Sequence, residues 1–389
     1  MRVVTSCRSR FYIFDQAREL LRHDALHQLI TDYPKSWPAR YGVPPEKVRG
    51  LLVLGVINHG FARVRRYIPK CLRSGVDQWI HDRFSRRLAK VIPRETQYLI
   101  GMSSFCLEAL QTCRDSGIPC AVDHASLHQK ENRELVFDEA KRWGVAAPLD
   151  TAADWVINKE DAEFNVANHI FVPSGAARES LVRCGVVAEK IVVNPYGVDL
   201  SDFRSGEKND DVFRVIQVGG IILGKGVLTL LDAFAKARLQ GSELWFVGGC
   251  LETSGLHSAI DAMRTSGVVF HKPVPQVRLR EYYNQCSVFV LASVADGFAL
   301  VVLQAMACGL PVIVTENVGA KDLIIDGVNG FIVPVGAPEI IADRLRQLRE
   351  DPELCRAMGA AAKLTVEKGY TWQDYGDRLV AFLRSQVSS

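Results

Sequence analysis

The 389-residue sequence contains no Cys-x-x-Cys pair and no short His/Cys cluster, so a structural zinc site is not expected. Its ten cysteines, at 7, 71, 106, 113, 120, 184, 250, 286, 308 and 355, do not suggest a disulfide framework either. A chain this long buries its own core without such staples, and cysteines among apolar neighbours, as at Cys106 and Cys120, read as small core residues in a reducing compartment. Net charge is only +3 and aromatics are 8%, too weak a basic balance to point to nucleic acid. Met1-Arg2-Val3-Val4-Thr5 has no apolar run behind its arginines, so no signal peptide is expected and a cytoplasmic location is. The longest apolar stretch, Phe298 to Val314, has the length of a membrane span but contains Gln304, Gly309 and Pro311. A helix to about Cys308, a turn and a strand over Val312–Val314 account for it better.

What is present is ordinary globular composition, 48% apolar and 23% charged, with 30 glycines, which excludes disordered and low-complexity chains. Short apolar runs alternate with helical patterns. Strands are expected at Arg2–Thr5, Tyr98–Gly101, Pro119–Asp123, Ile170–Pro173, Ile191–Asn194, Phe213–Val218, Leu244–Val247, Val268–Phe270, Val288–Leu291, Val312–Val314 and Phe331–Val333. They lack clean alternation, as strands buried on both faces do. Between them Phe14, Ala17, Leu20 and Leu21 mark one helix face, and Leu228, Leu231, Phe234 and Ala237 another. Strand–helix–strand order means an α/β fold with parallel sheets. The polar stretch Ser201–Asp211 is the best linker. It divides the chain into residues 1–200 and 201–370, each large enough for a doubly wound domain, with 371–389 as a closing helix. Thr371 is its expected N-cap, with Asp374 three residues on.

The halves differ in charge. Residues 1–200 carry 28 Lys/Arg against 23 Asp/Glu, and residues 201–389 carry 19 against 21. Between Arg63 and Arg94 ten basic residues face only Asp77 and Asp82, with Phe61, Tyr67, Ile68, Trp79, Ile80, Phe84 and Leu88 interleaved. This is either an amphipathic surface for anionic lipid or a solvated helix pair with snorkelling arginines.

Three motifs carry chemistry. Gly219-Gly220-Ile221-Ile222-Leu223-Gly224-Lys225-Gly226 joins a strand to a helix, where backbone N–H groups and a lysine can face phosphate oxygens. It fits neither the Walker pattern nor G-x-G-x-x-G. Asp296, in the loop after Val288–Leu291, and Gln304, two turns into the following helix, can reach one ligand from the sheet's carboxyl end. Val318-Gly319 follows the next strand and can expose backbone amides, and Asp326–Gly330 reads as a turn.

The ordered set resembles the retaining, nucleotide-sugar-dependent glycosyltransferases of family four (glycosyl transferases group 1), which have the GT-B fold. The matching pieces are Val172-Pro173-Ser174, Ile191–Asp199, Gly219–Gly226, Val274-Pro275 with Tyr282-Tyr283, Asp296–Val314 and Val318–Val333. The resemblance implies two Rossmann-like domains facing a cleft. The N-terminal domain would bind the acceptor and the C-terminal domain the donor, and the last helix would cross back with Trp372 and Tyr375 packing at the hinge. It implies a donor site of Gly219, Gly220, Lys225, Asp296, Gly297, Phe298, Ala299, Leu300, Gln304 and Gly319. Lys225 would meet the diphosphate, Asp296 the sugar and Gln304 the ribose. Gly220 stands where the family usually has arginine, Asp296 and Gln304 where it has two glutamates, and Ala299 where glycine is common.

On the acceptor side, His128 is the first candidate for the family's histidine near the transferred sugar, with His124 the second. Asp123, Ser126, Arg8 and Arg10 are further acceptor-side candidates. The resemblance implies no metal and no cofactor beyond a UDP- or GDP-linked donor sugar. It implies a glycan, lipid-linked or small-molecule acceptor in surface-polysaccharide or glycolipid assembly. Peripheral contact at the inner membrane face rests on the charge pattern of Arg63–Arg94 instead, with the solvated helix pair as its alternative. The alternatives are a non-catalytic GT-B glycan- or partner-binding module and a GT-B sugar-nucleotide epimerase or hydrolase. Oligomeric state has no signature.

Overall fold

A computed structural model describes residues 1–8, 12–64, 68, 70–146, 151–250 and 255–387. Seven strands form the first sheet: β1 (Val3–Cys7), β2 (Leu26–Thr31), β3 (Val48–Gly50), β4 (Tyr98–Met102), β5 (Cys120–Asp123), β6 (His169–Val172) and β7 (Ile191–Val193). Six form the second: β8 (Arg214–Val218), β9 (Glu243–Val247), β10 (Val268–His271), β11 (Val288–Leu291), β12 (Val312–Thr315) and β13 (Gly330–Val333). The strand orders are β3-β2-β1-β4-β5-β6-β7 and β10-β9-β8-β11-β12-β13. The central pairs, such as β1 with β4 and β8 with β11, are parallel.

Each order reverses beside its first strand, at β1/β4 and at β8/β11. Such switch points leave a crevice at the strands' carboxyl ends. Helices cover both faces, so β1, β5, β8 and β12 are buried throughout and their sequences lack apolar–polar alternation. All eleven expected strands form. The two that sequence patterning misses are β2 and β3. β2 is interrupted by half-buried His27 and Gln28, and β3 is a three-residue edge strand.

The helix Trp372–Val387 returns to the first sheet. Thr371 and Asp374 form its capping box: Asp374 Oδ2 accepts from Thr371 N at 2.9 Å, and Asp374 N donates to Thr371 Oγ1 at 3.2 Å. Tyr375 OH accepts from Gln16 Nε2 at 2.8 Å, Arg22 pairs with Asp377 at 2.5 Å, and Phe382 stands edge-on to Phe171. Trp372 and Tyr375 are buried and pack around Tyr196.

The basic stretch resolves differently from its sequence pattern. It runs from the end of the helix Leu52–Val64 through the helix Lys70–Ala89. Ile80, Phe84 and Leu88 point into the core, and Trp79 is exposed. The Arg65, Arg66 and Tyr67 part of that expectation lies outside the described residues. No helix among the described residues is long and apolar enough to cross a membrane.

Candidate active site

The site grows from three loops at the carboxyl ends of β8, β11 and β12. After β8 the chain turns at Gly219 (φ +127°), makes the short helical turn Leu223–Lys225 and enters the helix Val227–Ala237 through Gly226 (φ +67°). A Cβ on Gly226 would lie 1.9 Å from the Ala292 carbonyl oxygen, so only glycine lets this loop approach the one after β11. Val294 N and Ser293 Oγ donate to Gly224 O at 3.0 and 2.8 Å. These bonds bring the Lys225 ammonium onto Asp296 Oδ2, where the two form an ion pair.

Asp296 Oδ1 accepts from Phe298 N at 3.2 Å. Its own carbonyl accepts from Gly319 N at 2.9 Å, and Ala320 N donates to Phe298 O at 3.0 Å. The loops after β11 and β12 are thereby zipped together. Ala299 holds a left-handed backbone (φ +64°) at the start of the helix Leu300–Ala307, a conformation that costs alanine energy and that glycine adopts freely.

The first domain closes onto these loops. Ser174 Oγ caps the helix Gly175–Arg183 and donates to Gly297 O at 2.6 Å, and Gly175 N donates to Asp322 Oδ2 at 2.7 Å. Gly297 has no room for a side chain, since a Cβ would lie 2.2 Å from the Ala125 carbonyl oxygen. Gly319 is equally confined, between Gly297 O and Ser174 Oγ.

Two cavities result. A cleft of about 1000 Å³ runs between the domains. Gly219, Gly248, Pro273–Pro275, Leu300 and Gln304 line one side, and Arg18, Tyr41, Gly197 and Trp372 the other. A smaller cavity of about 360 Å³ holds Lys225, Asp296 and Gly297 opposite Ser126, Gln129 and Asn132. The donor-side candidates are thus brought together but divided. Gly219, Leu300 and Gln304 face the large cleft, while Lys225, Asp296 and Gly297 face the small one. Gln304 is buried and its Oε1 accepts from Tyr283 OH at 3.2 Å, the partner a buried amide requires. Phe298 lies in the core against Tyr196. Gly220 lines neither cavity.

The acceptor-side expectations need correction. His128 is buried and caps the helix Gln129–Arg142. Its Nδ1 accepts from Lys130 N at 3.2 Å, and its Nε2 meets Asp161 Oδ1 at 2.8 Å. His124 is also buried, with Nδ1 at 3.1 Å from Ser103 Oγ and Nε2 at 3.2 Å from Leu127 O. Burial pushes its pKa down to about 4, so it is neutral at pH 7. Neither histidine lines either cavity.

Asp123, the last residue of β5, is also interior. It accepts from Tyr12 OH at 2.6 Å and Gln16 Nε2 at 2.5 Å. Burial raises its pKa to about 6 against the pull of those two bonds. Through Gln16 it reaches Tyr375, so it braces the crossing helix. Arg8 donates to Asn58 Oδ1 and lies over the Phe105 ring. Arg10 is outside the described residues. Among the described residues of this group, Ser126 alone borders the Lys225–Asp296 pair. Sequence reasoning passed over Gln129 and Asn132, although their i, i+3 spacing at a helix start is a readable sign of one shared face.

Residues 199–365, which include Lys225, Asp296 and Gln304, match the family model of glycosyl transferases group 1. The chain is 26% identical over 298 residues to D-inositol 3-phosphate glycosyltransferase 1 of Catenulispora acidiphila, covering 70% of this chain and 68% of that one. It is 30% identical over 183 residues to the capsular polysaccharide biosynthesis glycosyltransferase CapM of Staphylococcus aureus, covering 45% and 48%. Two other curated relatives are spanned over 59% and 55% of their lengths. Sucrose-phosphate synthase from Thermosynechococcus elongatus superposes with a TM-score of 0.75 over 100% of this chain and 99% of that one, at 17% identity. Anabaena HepE, solved with UDP and glucose, superposes at 0.69 over 99% and 100%, also at 17%. The structural likenesses carry the two-domain fold, and the sequence match carries the half holding the charged pair and Gln304. By both, the chain has the two-domain GT-B fold, and its residues 199–365 are similar to glycosyl transferases group 1.

Proposed function

We propose that the protein moves a sugar from a nucleoside-diphosphate sugar to a glycan, lipid-linked or small-molecule acceptor, with retained configuration, in surface-polysaccharide or glycolipid assembly. The observation that carries this reading is the Lys225–Asp296 pair, seated in the smaller cavity beside a cleft of about 1000 Å³. The larger space suits a nucleotide, with Gln304 offering its amide to a ribose hydroxyl. The smaller suits a sugar ring read by Asp296 and the amides of Gln129 and Asn132. Anabaena HepE, of the same fold, is solved with UDP-glucose, which supports a nucleotide-sugar donor.

The leaving group is a diphosphate. Its developing charge is met by Lys225, by loop amides and by the start of the helix Val227–Ala237. The rest of the rate comes from holding donor and acceptor in register. With His124 and His128 held in the interior, the side chains nearest the reacting centre are Asp296, Ser126, Gln129 and Asn132. The setting of this reading is the cytoplasmic face of a membrane that carries the acceptor.

The test is diphosphate release from a panel of UDP- and GDP-linked sugars, with and without acceptor mixtures. Slow donor hydrolysis without acceptor supports an enzyme. Binding without any turnover supports a glycan-binding module instead, a reading favoured by the neutral Gln304 in place of a carboxylate. Failure to bind any nucleotide sugar removes the proposal.

A further inference from the structure

Among the described cysteines Cys250 alone is exposed, and its thiol is not in a disulfide. The other eight are buried or half-buried, and burial raises the pKa of each, which makes them poor nucleophiles at neutral pH. Cys250 has a different setting. Its Sγ lies 3.3 Å from Nε2 of His257, the second residue of the helix Leu256–Met263. An imidazole within hydrogen-bond reach takes the thiol proton and leaves a thiolate, the form of cysteine that attacks.

The pair lines a cavity of about 340 Å³ beside the donor cleft, with which it shares Gly248, Gly249 and Pro273. Arg264 and Lys272 also line it, against one carboxylate, Asp261. His271 adds a buried Nε2 that has no hydrogen-bond partner among the described residues. Such a space fits a small thiol compound that carries carboxylates and peptide groups. Cys250 continues β9 and bridges to Ile221, whose N donates to Gly249 O at 2.8 Å. A Cβ on Gly248 would lie 1.7 Å from Gly219 O, so the loops after β8 and β9 touch without slack. A group attached to Cys250 therefore presses on a wall that the donor cleft shares.

We propose that Cys250, activated by His257, is a modification site that forms a mixed disulfide with an oxidised low-molecular-weight thiol, and that the adduct hinders donor binding. The Cys250 thiol gives its proton to His257. The thiolate attacks one sulfur of the incoming disulfide, a new S–S bond forms, the old one breaks, and the departing thiolate takes the proton from His257. Cys250 is oxidised and the departing half is reduced. The effect on donor binding rests on the nucleotide-sugar reading of the cleft; the modification itself does not.

The test is incubation of the full chain with glutathione disulfide, with adducts located by peptide mass mapping. One adduct should form, at Cys250, and dithiothreitol should remove it. Cys250→Ser should take up none, and His257→Gln should slow adduct formation severalfold. Calorimetric titration with UDP and GDP should show the adduct binding at least about fivefold more weakly than the reduced chain, the lower end of ordinary coupling between sites. Cys250→Ser, treated alike, should bind as the untreated chain does. Absence of an adduct, adducts mainly at other cysteines, or a His257→Gln rate equal to that of the unmodified chain overturns the proposal. So does an adduct that leaves nucleotide affinity unchanged. A reduced chain that binds neither nucleotide removes the donor reading and the effect on it, while the mass map still decides the modification site.

Discussion

The ammonium of Lys225 and the carboxylate of Asp296 neutralise each other across two loops that are 71 residues apart in sequence. In a site built for a diphosphate sugar the pair has two uses. It pre-positions the lysine, and it turns the carboxylate towards the smaller cavity.

Lys225→Ala should weaken binding of a nucleotide sugar by about 1.5–3 kcal/mol, the range for a hydrogen bond to a charged group. Asp296→Asn should behave differently. With the competing carboxylate gone, affinity for the bare nucleoside diphosphate should hold or rise while transfer falls. Calorimetric titration with both ligands separates the two effects, and unchanged binding in Lys225→Ala would take that residue out of the site.

Ala299→Gly should stabilise the protein by about 0.5–1 kcal/mol. Relief of the left-handed alanine backbone is worth about 1–2 kcal/mol, offset by the greater freedom of glycine in the unfolded chain. Urea unfolding should show a higher midpoint at constant slope.

His128→Ala tests the reassignment of that residue from the reaction to the helix start. Loss of a cap costs about 1 kcal/mol, and kcat of the folded fraction should be unchanged. A collapse of kcat with stability intact would return His128 to the chemistry.

Glu160 and Glu163 lie buried behind the loop after β4. Glu163 accepts from Ser104 N at 2.6 Å and Cys106 N at 2.8 Å, and Glu160 accepts from Ser104 Oγ at 2.6 Å. Burial raises their pKa values to about 7 and about 8. Because these folded-state values exceed those of the unfolded chain, the native state binds more protons, and stability falls as pH rises through them. His124, with its lowered pKa, acts only below its ordinary value near 6.5. Between pH 6.5 and 8 the melting temperature should therefore drop. Glu160→Gln should flatten that slope, and an unchanged slope would show that Glu160 does not titrate there.

Much of this was legible in the sequence. Doubly buried parallel strands write themselves as short apolar runs, so eleven of the thirteen were readable. The capping box at Thr371 and the loop glycines are local chemistry, visible because backbone conformation and side-chain hydrogen bonding depend on near neighbours. The order of motifs from Val172 to Val333 pointed to the family for the same reason. What sequence could not decide was direction and burial. The loop Asp123–His128 offers an aspartate, two histidines and a serine, and only packing shows that three of them turn inward to Tyr12, Ser103 and Asp161 while Ser126 faces the site. The basic stretch likewise showed charge without showing that Ile80, Phe84 and Leu88 are core and that the exposed apolar face lies one helix earlier, at Leu52–Val56. Orientation about a helix or loop axis is set by residues brought in from distant parts of the chain. Only the tertiary structure could therefore separate the groups that reach a ligand from those that hold the fold.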